Sequence, residues 1–230
     1  MSEDESDFIR RSLRGQQKED VEISAPVTAV IDDTNDLGSR KHGKHYILGA
    51  TAVDADKVEA FADLTKKYNL DKEIKFISEQ KLRKEVLEGI SELEPRIYAV
   101  TVRKPRFHKW DKTTQKDVHR NALQKLMKKV AEGEGAPRIH MIIDESSKAK
   151  AGTVDRIRNE VADKRKKELT LEIMSSANSS ELQSNDFSVG AMNKKYNQGD
   201  SSFADILPDI DRSRLICKTK PNRGERGKKV

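Results

Sequence analysis

The stretch VTAVIDDT at residues 27–34 decides the fold of this chain. Its residues are mostly apolar or β-branched, and turn-forming residues follow directly, which predicts a strand. A second stretch, RIHMIIDES at residues 138–146, is almost continuously apolar, as expected of a strand buried on both faces at the centre of a sheet. Both strands end in carboxylates. The sequence therefore predicts two core strands with acidic residues at their exits.

Three further apolar runs predict strands: HYILGATAV at 45–53, RIYAVTV at 96–102 and LTLEIMSS at 169–176. The short connection between the first two strands predicts an antiparallel hairpin. Apolar residues spaced by three and four predict five helices, at 54–68, 78–94, 118–130, 151–168 and 181–196. This succession predicts a mixed α/β fold with five strands flanked by helices.

Composition and charge favour one domain with a solvated surface. Charged residues make up 37% of the 230 residues and hydrophobic ones 34%. Residues 212–230 hold eight cations and one acid, whereas the whole chain carries only +6, so the rest of the chain sums to −1. We expect a flexible arm at residues 1–24, a domain at 25–210 and a basic tail at 211–230. The tail is typical either of phosphate binding or of a solvated terminus.

Neither a membrane segment nor a cysteine-based site is expected. No stretch approaches the ~20 apolar residues that cross a bilayer, and the start of the chain lacks the apolar segment of a signal peptide. We therefore expect a cytoplasmic protein with no membrane partner. The single cysteine, Cys217, excludes an intramolecular disulfide and a zinc site built on several cysteines.

Three carboxylates occupy positions where burial is expensive. Alternation along the first strand places Asp32 on one face and Asp33 on the other. Asp144 ends the second core strand, and ligands gather outside the carboxyl ends of strands in open α/β sheets. Asp186 follows Leu182 by four residues and precedes Val189 by three, on the apolar stripe of the last helix. Each acid alone fits a turn cap or a solvated residue, but together they predict a hard cation, Mg²⁺ or Mn²⁺.

Four short motifs then resemble the domain of unknown function 3800 family, over roughly residues 26–196. They are Asp32 to Asn35 after the first strand, Glu73–Ile74–Lys75, the strand ending IIDES at Asp144, and Leu182 to Asp186. The chain departs from the family pattern at Asp33 in place of Glu, Asn35 in place of Gly and Asn185 in place of Ala. None of these departures removes an acid that the pattern requires.

The resemblance implies a ribonuclease-H-like fold and a nuclease site that uses divalent metal on DNA or RNA. In such a site Asp32 is the bridging ligand, and Glu73, Asp144 and Asp186 complete the shell around Mg²⁺ or Mn²⁺. Lys75 either contacts the scissile phosphate, relieves repulsion among the acids, or is simply solvated. The resemblance thus predicts a hydrolase of phosphodiester bonds.

Two other functions remain open. The fold can serve as a non-catalytic module that binds nucleic acid or a protein, with structural acids. A phosphatase or nucleotide hydrolase is less favoured, because the chain shows no glycine-rich phosphate loop.

Several polar residues allow two interpretations each. His42 and His45 either position a phosphate or are solvated, Gln183 orients a ligand or caps its helix, and Trp110 anchors its loop or stacks on a base. The basic loops at residues 40–44 and 103–112 are candidates for contact with a nucleic-acid backbone.

Overall fold

Six strands form the centre of the computed structural model, which describes residues 25–34, 37, 43–68, 80–105, 110–145 and 151–216. The bounds of the first five follow the apolar runs of the sequence closely. The strands are β1 (Val27–Asp33), β2 (His45–Asp54), β3 (Arg96–Arg103), β4 (Arg138–Asp144), β5 (Glu168–Met174) and β6 (Ile210–Leu215).

The strands form one mixed sheet in the order β5-β4-β1-β2-β3-β6. β1 and β2 are antiparallel, as the short connection predicts, and β3 continues the meander on the far side of β2. β4 lies parallel to β1, with Ile143 beside Ile31, and β5 continues parallel to β4. The exits of β1 and β4 therefore lie side by side.

Five helices cover the sheet: α1 (Val58–Lys66), α2 (Gln80–Glu92), α3 (Lys112–Gly133), α4 (Ala151–Arg165) and α5 (Ser180–Asn193). Side chains that accept a hydrogen bond from the first turn start two of them. The Asp111 carboxylate accepts from the Thr114 amide at 2.7 Å ahead of α3, and the Ser179 hydroxyl accepts from the Leu182 amide at 3.2 Å ahead of α5.

The alternation of each strand divides the interior into two cores. Ala29 and Ile31 of β1 belong to the core beneath α3 and α4, where Leu126 is buried. Val30 belongs to the core beneath α1, α2 and α5, where Phe187 is buried. We call the first side the α3 face and the second the α5 face. Residues that alternate along β1 are thus separated by the full thickness of the sheet.

The predicted α/β class, a mixed sheet flanked by helices, is confirmed, but the sheet has six strands and not five. The additional strand, β6, pairs in parallel with β3 from Ile210 beside Ile97 to Leu215 beside Val102. Its sequence, IDRSRL, carries too little apolar alternation to indicate a strand, so the pairing to β3 defines it. The predicted tail from residue 211 therefore begins inside the sheet, and the domain extends to Leu215.

Two regions named in the sequence analysis, residues 1–24 and 217–230, lie outside the described residues. Within the described part, no helix is both long and apolar enough to span a bilayer.

Candidate active site

The end of β1 places two adjacent carboxylates on opposite faces of the sheet. Asp32 shares the α5 face with Val30, and its side chain is only 9% exposed. Asp33 points to the α3 face, where its Oδ2 accepts a hydrogen bond from the Tyr46 hydroxyl at 2.9 Å. The predicted separation of the two acids is confirmed, and only Asp32 is directed towards α5.

Asp144 lies next to Asp32 because the register of β1 and β4 is continuous at their exits. Ile31 pairs with Ile143, so the next residue of each strand occupies the adjacent position. Asp144 is 5% exposed. It lies two residues after Ile142 on the same strand and therefore on the same face, and Ile142 belongs to the α5 core. The parallel pairing of two central strands thus brings two buried carboxylates to one edge of the sheet.

Asp186 reaches the same place from α5, which packs against β1 and β2. The register pairs Asp32 with Gly49 of β2, and a Cβ at Gly49 would lie 2.8 Å from Val189 Cγ2. The absence of a side chain at Gly49 lets α5 approach the sheet closely at the level of Asp32. Asp186, three residues before Val189, is half-buried there. Asp186 therefore lies near Asp32, whose pKa its charge helps to raise.

The charges of the neighbouring acids act on Asp32. Burial raises the pKa of Asp32 well above its usual range, and the negative charges of Asp33, Asp186 and Asp144 raise it further. A hydrogen bond opposes this shift, because the Asp33 amide donates to Asp32 Oδ1 at 2.6 Å. The ionised cluster therefore carries a free-energy cost that a bound cation or a proton would relieve.

The chemistry of these donors suits a hard cation, since Mg²⁺ and Mn²⁺ prefer carboxylate oxygens and water. However, the described residues include no group of three or more His, Cys, Asp or Glu placed to hold an ion. The three acids alone therefore do not make a finished ligand set. Glu73 and Lys75, which the family resemblance adds to the site, lie outside the described residues.

Sequence reasoning did not find a buried polar trio on the α3 face, directly behind the acidic cluster. It consists of Asp33, Tyr46 and His119. His119 Nδ1 lies 2.6 Å from the Tyr46 hydroxyl, and the same hydroxyl donates to Asp33. The His119 side chain is 1% exposed. Burial, and then the charge of Asp33, raise the pKa of Tyr46 well above its usual range, so it stays a neutral donor. The one signal for this trio was a histidine beside Val118 on an otherwise apolar stripe of α3.

The structure also separates the alternative roles of the other polar candidates. Trp110 is buried in the α3 core, which supports its anchoring role. The Gln183 amide donates to the Ser176 carbonyl at 3.0 Å, and so ties the start of α5 to the turn before it.

Of the two histidines in the first hairpin, His45 lies within the described residues. His45 is held by Asn197, whose Oδ1 accepts from the His45 amide at 2.7 Å, and burial lowers the pKa of its imidazole. His42, like most of the basic loop around it, lies outside the described residues.

A buried asparagine, Asn185, precedes Asp186 in α5. Asn185 Oδ1 accepts a hydrogen bond from the Thr51 hydroxyl of β2 at 2.8 Å. Its Nδ2 is buried with no acceptor among the described residues. One half of this side chain is therefore compensated by the sheet beneath it.

No protein-family model and no curated protein matches the chain. A chain from the PCNA:RNase HII complex of Archaeoglobus fulgidus is 11% identical, with 74% of each chain covered and a TM-score of 0.45. Ribonuclease H2 from Pyrococcus horikoshii OT3 is 13% identical over 80% of this chain and 81% of its own, with a TM-score of 0.46. A variant of Bst-RNase HIII is 12% identical over 76% of this chain and 54% of its own, with a TM-score of 0.44.

Proposed function

We propose that this chain is a metal-dependent nuclease that hydrolyses phosphodiester bonds of nucleic acid through Asp32, Asp144 and Asp186. The observation that carries the proposal is the crowding of carboxylates around Asp32 at the exits of β1 and β4, with the pKa of Asp32 raised by burial and by its neighbours. Strongly perturbed carboxylates at the carboxyl end of a sheet are typical of functional sites. Either a proton or a cation can relieve this cost, and we propose that a divalent cation does so in the working protein.

One member of the proposed ligand set, Glu73, lies outside the described residues. Asp32 would be the central ligand of a divalent metal site, with Asp144 and Asp186 beside it, and Glu73 would complete the shell as the family resemblance implies. Mg²⁺ or Mn²⁺ held by these residues would supply an activated water and charge stabilisation for the leaving oxygen of an in-line displacement. Lys75 is proposed to contact the scissile phosphate.

The described residues prepare Asp32 for this role in two ways. The Asp33 amide donates to Asp32 Oδ1 and so fixes one carboxylate oxygen, which leaves Oδ2 to turn towards a cation. Asp32 and Asp144 are both buried, and charge interactions are stronger in such surroundings than in bulk water. The strand thus supplies both the orientation and the burial of Asp32.

The proposal is tested by nuclease assays on labelled single-stranded RNA, single-stranded DNA and RNA–DNA hybrid, with Mg²⁺ or Mn²⁺ present. We expect Asp32→Asn and Asp144→Asn each to lower the cleavage rate by more than the roughly 10–100-fold that outer-shell partners of a metal contribute. The matched control is Asp163→Asn, an exposed acid of α4, which should cleave like the wild type. Equal cleavage by the site variants and the control would refute the proposal.

The second candidate is a non-catalytic module that binds nucleic acid or a protein on the same fold. The observation that favours it is the incomplete set of metal ligands among the described residues. The same assay separates the two functions, because a module of this kind binds the substrates and cleaves none of them with either metal. Membership of the domain of unknown function 3800 family and a cytoplasmic location remain predictions from the sequence.

A further inference from the structure

A groove of about 540 Å³ lies on the α3 face of the sheet, away from the acidic cluster. Five cations and two carboxylates line it, a net charge of +3, whereas the chain without residues 212–230 sums to −1. The groove is therefore a local concentration of positive charge on a nearly neutral domain. Its charged lining comes from α3 and α4: Lys125, Lys128, Lys129, Glu132, Glu160, Lys164 and Arg165.

Two of the lysines hold the wall of the groove in place. Lys125 Nζ donates to the Arg214 carbonyl at 2.9 Å, and Lys129 Nζ lies 2.5 Å from Asp211 Oδ2. Both contacts tie α3 to β6, whose Ser213 forms part of the lining. An ammonium group has three donors, so each lysine keeps hydrogen-bonding capacity beyond these contacts.

The other cations are less engaged. Lys128 Nζ is 3.8 Å from Glu132, which also pairs closely with Arg165. The Nε of Arg165 is buried and finds no acceptor in the part of the chain that the structure describes. Lys164 is exposed. The groove thus offers several cationic donors and few compensating acids, as expected of a surface for a polyanion.

The sequence that follows the groove wall is also basic. β6 ends at Leu215 in the groove wall, and Ile216 after it is exposed. The sequence at 217–230 then carries six cations and one acid. The described part of the groove carries the argument by itself. Regularly spaced phosphates are the polyanion that such dispersed lysines and an arginine fit best.

We propose that this groove binds the phosphate backbone of nucleic acid, at a site on the opposite face of the sheet from Asp32. It goes beyond the proposed function, because binding here needs neither metal nor cleavage. Contacts of this kind carry no base specificity.

The test uses the full chain in EDTA, with fluorescence anisotropy of a labelled duplex measured over a range of salt. Lys128→Gln combined with Lys164→Gln removes two exposed cations of the groove. We expect binding about tenfold weaker or more at low salt, and a salt slope reduced by about 1.8, because each phosphate contact on a duplex contributes about 0.9. The basic tail is common to all variants, so the difference reports the groove alone.

The matched control is Lys81→Gln with Lys84→Gln, two exposed lysines of α2 on the other face. It should bind the duplex like the wild type. An unchanged slope in the groove variant, or an equal loss in the control, would overturn the proposal. So would a groove variant that keeps duplex binding and loses binding of polyglutamate, since the occupant would then be an acidic protein. The single variant Lys164→Gln repeats the test if the double variant unfolds at a lower temperature.

Failure here is distinguishable from failure of the proposed nuclease activity. Asp32→Asn should bind the duplex in EDTA like the wild type and lose cleavage, whereas the groove variant should lose affinity.

Discussion

Asp32 and Asp33 are consecutive on β1, but one faces α5 and the other faces α3. Asp33 accepts a hydrogen bond from Tyr46, which in turn contacts His119, so its polar surroundings are well connected. Asp32 instead faces Asp144 and Asp186, and the Asp33 amide is the donor that opposes the rise in its pKa. One strand can thus supply a stabilising contact on the α3 face and, on the α5 face, a crowded buried carboxylate of the kind that marks functional sites.

The largest effect on stability is expected from breaking the close approach that builds the α5 face. Gly49→Ala places a Cβ 2.8 Å from Val189 Cγ2, so α5 must shift away from β2. We expect a loss of about 1–3 kcal/mol in the free energy of unfolding, as for other overpacked sites, measured by urea denaturation. Gly135→Ala is the control, because nothing lies within 4 Å of its Cβ position. Equal stability of the two variants would show that the α5 packing does not depend on Gly49.

A somewhat smaller loss is expected from breaking the trio on the α3 face. Tyr46→Phe removes the hydroxyl that joins Asp33 to His119, and it leaves buried polar atoms without that partner. We expect a cost of about 1–2 kcal/mol in the free energy of unfolding. Tyr68→Phe removes a hydroxyl that contacts Glu85 nearer the surface, and its stability should stay within about 0.5 kcal/mol of the wild type. If Tyr46→Phe is as stable as this control, the trio does not stabilise the fold.

The sequence predicts the direction of a side chain well where the repeat of its strand or helix determines that direction. The period of two placed Asp32 and Asp33 on opposite faces, and the spacing of three and four placed Asp186 on the inner stripe of α5. The sequence did not predict strand β6, because long-range pairing to β3 defines this strand and apolar alternation does not. The sequence also did not predict the contact of Tyr46 with His119, since it joins residues 73 positions apart on a strand and a helix. Local patterns determine which way a residue faces, but tertiary packing determines what it meets.

The smallest expected effect on stability has the opposite sign and depends on pH. Because the pKa of Asp32 is raised in the folded state, the stabilisation from this group is fully present below the unfolded carboxyl pKa of about 3.9, and it is lost as pH rises through the folded value. Asparagine stays neutral, so Asp32→Asn should have a higher Tm than the wild type at neutral pH in EDTA, and the same Tm in acid.

Asp33→Asn is the matched comparison and should gain less stability than Asp32→Asn, because it weakens the contact with Tyr46 while it removes only one of the charges that act on Asp32. Thermal unfolding of the three proteins across pH measures both statements. A wild type at least as stable as Asp32→Asn at neutral pH would contradict this account of the cluster.

Calorimetric titration of Mn²⁺ into the wild type, Asp32→Asn and Asp33→Asn tests the central claim most directly. We predict that the wild type binds Mn²⁺, that Asp32→Asn loses this binding, and that Asp33→Asn retains it, because the two carboxylates lie on opposite faces of the sheet. If the wild type binds no Mn²⁺, or if Asp32→Asn binds it as well as Asp33→Asn does, the acidic cluster is not a metal site.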